Sequence, residues 1–145
     1  MKIRHAAASL AAIVALTVGV GVGAPALASP GPEMLDKIAG DFVRMTLEAG
    51  EREPGYVDAY YGPREYLTAA KTAPRPVYLL RREADRLQAL LGAVPDKGLT
   101  PDQRRRKLFL KGQVRAAQTR LAMIAGDKFS FQDEAQGLFG VRPAI

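Results

Sequence analysis

The stretch from Thr100 to Asp127 constrains the fold most. Thr100-Pro-Asp-Gln103 has the form of a capping box with proline at the first helical position, a pairing that satisfies two orphan backbone donors at a helix start. Leu110, Val114, Ala117, Leu121 and Ile124 then recur at alternating four- and three-residue steps, and Gly126-Asp127 ends the run as a C-cap and turn. A helix with one continuous apolar seam cannot stay folded alone in water, so other helices must cover that seam.

The rest of the chain supplies them. After Pro30 and Pro32, Leu35, Ile38, Phe42, Met45 and Ala49 repeat at helical spacing, with Glu33 and Asp36 near the start, where the helix dipole favours acids. Gly50 and Pro54-Gly55 stop that helix. A short helix is predicted from Arg64 to Ala70, and "TAPRP" breaks it. Residues 77–94 form the next, with Val77, Leu80, Ala84, Leu87 and Leu91 on one stripe. Ser130 caps a last helix through Leu138, with Phe131, Ala135 and Leu138 as its expected buried side. No strand pattern is visible. The expected class is all-α: four to five amphipathic helices packed as an antiparallel bundle.

The amino terminus carries a different message. Lys2 and Arg4 precede an apolar run from Ala6 to about Val22, and Ala26 and Ala28 stand at −3 and −1 of a cut before Ser29. Basic end, apolar core and small-residue site in that order mark a cleaved secretory signal over residues 1–28, so residues 29–145 form the helical domain. The run is near the lower length limit for a membrane span and carries Gly19, Gly21 and Gly23 towards its end, which favour cleavage over an uncleaved anchor, so no stable span is expected after cleavage. No cysteine follows the cut and no paired arginine precedes the run. A Sec-type route to the periplasm or the extracellular space is therefore expected. Removing 28 of the 145 residues leaves 117, one domain at most, with no cysteine to staple it.

Several chemistries are excluded by residue type. The single histidine, His5, leaves with the signal, so residues 29–145 contain neither His nor Cys. The usual zinc sites, Ser-His and Cys-His nucleophile pairs and histidine bases are absent. "VGVGVG" at residues 18–23 resembles a phosphate loop by letters alone and belongs to the signal. Glu51, Glu53 and Asp58 cluster around a break, where two carboxylates can act as acid and base, but a solvated loop with ordinary surface acids is the favoured reading.

Charge is uneven. Residues 29–99 hold ten basic and eleven acidic groups, whereas residues 100–145 hold nine basic and four acidic. Arg104, Arg105, Arg106 and Lys107, joined by Lys111, Arg115 and Arg120, suggest a basic contact face on the long helix. Export and the amphipathic pattern argue against nucleic acid. A solvated face, or one meeting an acidic partner, is expected, with anionic lipid or an envelope polyanion as the lesser alternative.

"PGYVDAYYGPREY" at residues 54–66 holds four of the five tyrosines, Tyr56, Tyr60, Tyr61 and Tyr66, with Asp58 among them. Tyrosine combines a large apolar body with a hydroxyl that needs a partner, so Tyr56, Asp58, Tyr60 and Tyr61 suit a packed helix junction as well as a cleft lining. Tyr56 and Tyr60 stand one helical turn apart and are expected to share a face, with Tyr61 pointing elsewhere. Composition favours the packed junction.

"EREPGYVDAYYGPREY" followed by "RRRKLFLKGQVRAAQTRLAMIAGDKFSFQDEAQGLFGVRP" resembles the amino-terminal helical region of the bacterial domain of unknown function 885 family, and the likeness runs from about Leu35 to Ala144. The resemblance implies a longer helical region in full-length relatives, with a His-Glu-x-x-Pro-Gly-His segment like that of zinc-dependent peptidases. Zinc is thus expected only in those relatives and no cofactor in this chain, where no residue matches that segment and no catalytic or metal-binding role carries over. The chain then reads as a non-catalytic amino-terminal fragment, with the missing carboxyl-terminal half or an acidic envelope partner as its expected contacts. Such a fragment is expected to expose seam residues such as Leu110, Val114 and Leu121. The alternative is a stand-alone exported binding module that uses its basic helix, Arg104 to Arg120, or its tyrosine-rich junction, Tyr56 to Tyr66.

Overall fold

The computed structural model describes residues 30–144, so the expected signal segment and its cut at Ala26, Ala28 and Ser29 lie outside the described residues. The fold is all-α. Five helices follow in order, α1 (Pro30–Gly50), α2 (Arg64–Thr72), α3 (Val77–Ala93), α4 (Pro101–Ile124) and α5 (Phe131–Phe139), with no strand among the described residues.

Local chemistry places each boundary. Gln103 N–H donates to Thr100 Oγ1 at 3.2 Å and Thr100 N–H to Gln103 Oε1 at 2.8 Å, completing the capping box of α4. Asp133 N–H donates to Ser130 Oγ at 3.1 Å and caps α5, which ends at Gly140 in the left-handed region, φ 76°. Gly126, φ 98°, turns the chain out of α4.

α1, α3 and α4 form the core, with α2 packed on α1 and α5 packed on α4. Polar contacts give the directions. Arg75 meets Glu48 and Arg86 meets Asp41, so α1 and α3 are antiparallel. Lys107 meets Val94 and Gln118 meets Asp85, so α3 and α4 are antiparallel too. Arg106 pairs with Asp36, and Arg120 with Glu53 just past the end of α1, so α1 and α4 run parallel.

Leu35, Ile38 and Met45 of α1, Leu80, Ala84, Leu87 and Leu91 of α3, and Leu110, Val114, Ala117 and Leu121 of α4 fill the interior. Each fully buried leucine contributes about 1.5–3 kcal/mol of apolar transfer. The exposed seam expected of a fragment is not found. Leu110 is 6%, Val114 0% and Leu121 1% exposed, because α1 and α3 close over α4. Val77, at the start of the α3 stripe, is only half-buried.

α5 departs from expectation. None of its residues is buried, and Phe131 is 70% exposed. α5 meets α4 through Gly137, where a Cβ would lie 2.7 Å from Thr119 Cγ2 and overlap the Thr119 hydroxyl. The glycine therefore turns toward α4, and of the apolar stripe Phe131 is exposed while Ala135 and Leu138 are half-buried.

Asp41 ties α1 to α3 through Arg86 at 2.9 Å, pairs within α1 with Lys37 at 2.8 Å and Arg44 at 3.2 Å, and Arg86 also pairs with Glu83. Burial raises the Asp41 pKa, but hydrogen bonds from Lys37 and Arg86 outweigh it and hold the carboxyl below its ordinary value. A carboxylate lowered by folding lends stability above its unfolded pKa and loses it as pH falls through the folded one.

Two outcomes follow from this packing. Gly137→Ala is expected to cost about 1–3 kcal/mol at the α4–α5 contact through overpacking. Limited proteolysis should then cut within residues 125–145 well before it reaches α1, α3 or α4. Asp41→Asn should lower the melting temperature at neutral pH, with the gap to wild type closing below about pH 4 as Asp41 is protonated in both states.

Candidate functional site

The chain leaves α1 through a turn, with Arg52 N–H and Glu53 N–H both donating to Ala49 O, and Gly55 adopts φ 84°. That turn delivers Glu53 to α4. Arg120 Nε donates to Glu53 Oε2 at 2.7 Å and its Nη2 to Oε1, a bidentate pair linking residues 67 positions apart. Hydrogen bonding to Glu53 pushes the Arg120 guanidinium above its ordinary value.

The tyrosines divide. Residues 51–63 are turns and irregular chain, not helix, so Tyr56 and Tyr60 do not share a helical face. Pro54, Gly55 and Gly62-Pro63 oppose the regular backbone that such a face requires. Tyr56 packs its ring against the core. Burial first, and the Glu53 charge second, raise its phenol pKa. Tyr60 donates to Pro63 O at 3.1 Å, and Tyr61 is 96% exposed. Tyr66 accepts from Arg44 Nη2 at 2.7 Å while that guanidinium sits 4.1 Å from its ring centre.

A groove of about 560 Å³ opens beside Tyr56. Phe42 and Thr46 of α1 form one wall, Gln113, Ala116 and Arg120 of α4 the floor, and Leu138 and Phe139 of α5 the other wall. The Glu53–Arg120 pair neutralises both charges within it. Glu51 and Asp58 lie apart from Glu53, on a separate cavity of about 280 Å³ shared with Tyr60 and Lys71. The three carboxylates are therefore not brought together, and the one in the larger groove is held by arginine.

Part of the basic run is engaged by the rest of the fold. Arg106 pairs with Asp36, and Lys107 Nζ donates to Val94 O at 2.6 Å and Asp96 at 2.7 Å. The Lys107 hydrogen bond holds the Asp96 carboxyl below its ordinary range. Arg104 donates to Leu99 O at 2.7 Å, while Arg105 and the half-exposed Lys111 remain on the surface, Arg105 beside Asp102. Arg104, Arg106 and Lys107 of the expected contact face thus anchor α4 to α1 and to the α3–α4 turn.

Glu53 and Arg120 were each visible in sequence, but nothing local pairs them. Glu48 and Arg75 are likewise joined across 27 positions, with Arg75 Nη2 to Glu48 Oε1 at 2.7 Å. The zinc that the resemblance implies for longer relatives does not fit the residues present. Residues 29–145 contain no His or Cys, and no group of three or more metal-ligating side chains converges among the described residues.

A raised phenol pKa binds its proton more tightly in the fold, so the associated stability is present below the unfolded value near 10 and lost as pH rises through the folded one. In alkaline titration followed by tyrosinate absorbance, Tyr56 and Tyr60 should ionise later than the other tyrosines, and the Tyr56 component should coincide with loss of helicity. Tyr56→Phe should remove that helicity-linked component. Its persistence in the variant would assign it elsewhere.

No protein-family model, curated protein or solved structure matches the chain.

Proposed function

We propose that the chain is an exported, non-catalytic helical module, similar to the amino-terminal region of the domain of unknown function 885 family, and that it holds a partner segment in the groove beside Tyr56. The groove itself carries the reading. Its volume of about 560 Å³ falls in the range of ligand sites, and Phe42, Tyr56, Leu138 and Phe139 give it apolar walls around a few polar groups. It lies between α1 and α5 over α4, the place where an amphipathic helix would add to a bundle. The zinc peptidase-like half of longer relatives is the proposed source of that helix.

Catalysis by the chain alone has little support. Glu53 is engaged by Arg120, while Glu51 and Asp58 stand exposed on a turn. An acidic envelope partner is a weaker reading than the groove, because Arg106 and Lys107 already serve Asp36 and Asp96.

Sequencing the gene several hundred bases past codon 145, in all three frames, tests the relationship. A segment encoding His-Glu-x-x-Pro-Gly-His is expected, and its product should co-purify with this chain when the two are co-expressed. Phe139→Asp should weaken that association by about ten-fold or more, as loss of an apolar anchor does. Unrelated sequence beyond the stop would remove the peptidase-like relationship.

A further inference from the structure

The outer side of α4 combines two features that the core and the groove do not use. Leu108 and Phe109 are 68% and 64% exposed in the middle of a well-packed helix. Helical spacing places Arg104 and Lys111 one turn from Leu108, Arg105 one turn from Phe109, and Arg115 two turns from Leu108. None of these four cations is held by a buried carboxylate. Arg104 donates to the Leu99 carbonyl and Arg115 Nε to the Gly137 carbonyl at 3.4 Å, contacts that orient a guanidinium without neutralising it. The carboxylate recorded beside Arg105 is Asp102, itself 83% exposed. Arg106 and Lys107, between them in sequence, turn the other way to Asp36 and Asp96.

The exit from α5 brings one more apolar side chain to the same side. Gly140 lies against the Arg115 guanidinium, so the chain leaves α5 alongside α4, with Val141 62% exposed just past that glycine.

We propose that this face is a peripheral docking site for an anionic membrane surface. Leu108, Phe109 and Val141 enter the boundary between headgroups and acyl chains, while Arg104, Arg105, Lys111 and Arg115 lie at headgroup level. Large apolar tips ringed by cations on long stems are the pattern such an interface selects. The charge complementarity comes from Arg104, Lys111 and Arg115, which form no ion pair among the described residues, and from Arg105, paired only with the exposed Asp102. No helix among the described residues is long and apolar enough to cross a membrane, so the contact is superficial.

The test is co-sedimentation of the chain lacking its first 28 residues, which contain none of the described fold, with phosphatidylcholine vesicles alone or with added phosphatidylglycerol. Binding is expected only to the anionic vesicles and should fall as salt rises. Arg104→Gln with Arg105→Gln should weaken it roughly five-fold per charge removed. Leu108→Ser with Phe109→Ser should weaken it at least as much while leaving the melting temperature unchanged, since both side chains are exposed. Tyr56→Phe, in the groove, should have no effect, which separates this site from the one proposed above. Equal binding to both vesicle types, or to neither, would overturn the proposal. So would full retention of binding by the Leu108/Phe109 variant, since headgroup or soluble polyanion capture would then account for it.

Discussion

α4 is the element on which the other parts rest. Its seam of Leu110, Val114, Ala117 and Leu121 is sealed by α1 and α3, which makes the three-helix core. A second side carries Arg120, which reaches Glu53 and fixes the turn after α1. A third carries Thr119, against which Gly137 seats α5. The groove exists because these last two attachments lie on either side of one strip of α4, leaving Gln113 and Ala116 uncovered between them. Loss of α4 would therefore remove the core, the junction and the groove together.

The uneven charge of the chain has a structural origin in part. Basic residues of the carboxyl-terminal stretch find acids in the earlier stretch: Arg106 with Asp36, Lys107 with Asp96 and Arg120 with Glu53. Arg86, Asp41 and Glu83 add a network between α1 and α3. Exposed pairs of this kind contribute little energy singly, but they discriminate helix direction and register, since a slipped helix would set like charges together. Arg104, Lys111 and Arg115 stay outside these pairings, and Arg105 pairs only with Asp102 on its own helix, all four on the outer side of α4.

The helices were legible because each has a period and a punctuation mark: the stripe of Leu80, Ala84, Leu87 and Leu91, the Thr100 box, the Ser130 cap. α5 was legible as a helix but not in its orientation. Phe131, Ala135 and Leu138 form an apolar stripe, yet close approach through Gly137 set the contact instead, and sequence hydrophobicity does not register a missing Cβ. The tyrosine stretch was recognisable as a junction, but its shared helical face dissolved in an irregular backbone punctuated by glycine and proline. The groove was not legible, since Phe42, Tyr56, Gln113 and Phe139 come from distant positions that only the packing of α1, α4 and α5 unites. Nor did the expectation of an exposed seam survive, because α1 and α3 supply enough apolar surface to close it.

The described residues thus form a closed core of α1, α3 and α4 with α2 and α5 as lighter attachments, and the groove lies where α5 attaches. Hydrogen exchange of backbone amides tests that division most directly. Amides of α1, α3 and α4 should exchange together through global unfolding, and those of α2 and α5 earlier through local opening. Rapid, uniform exchange across all five helices would contradict a self-sufficient core.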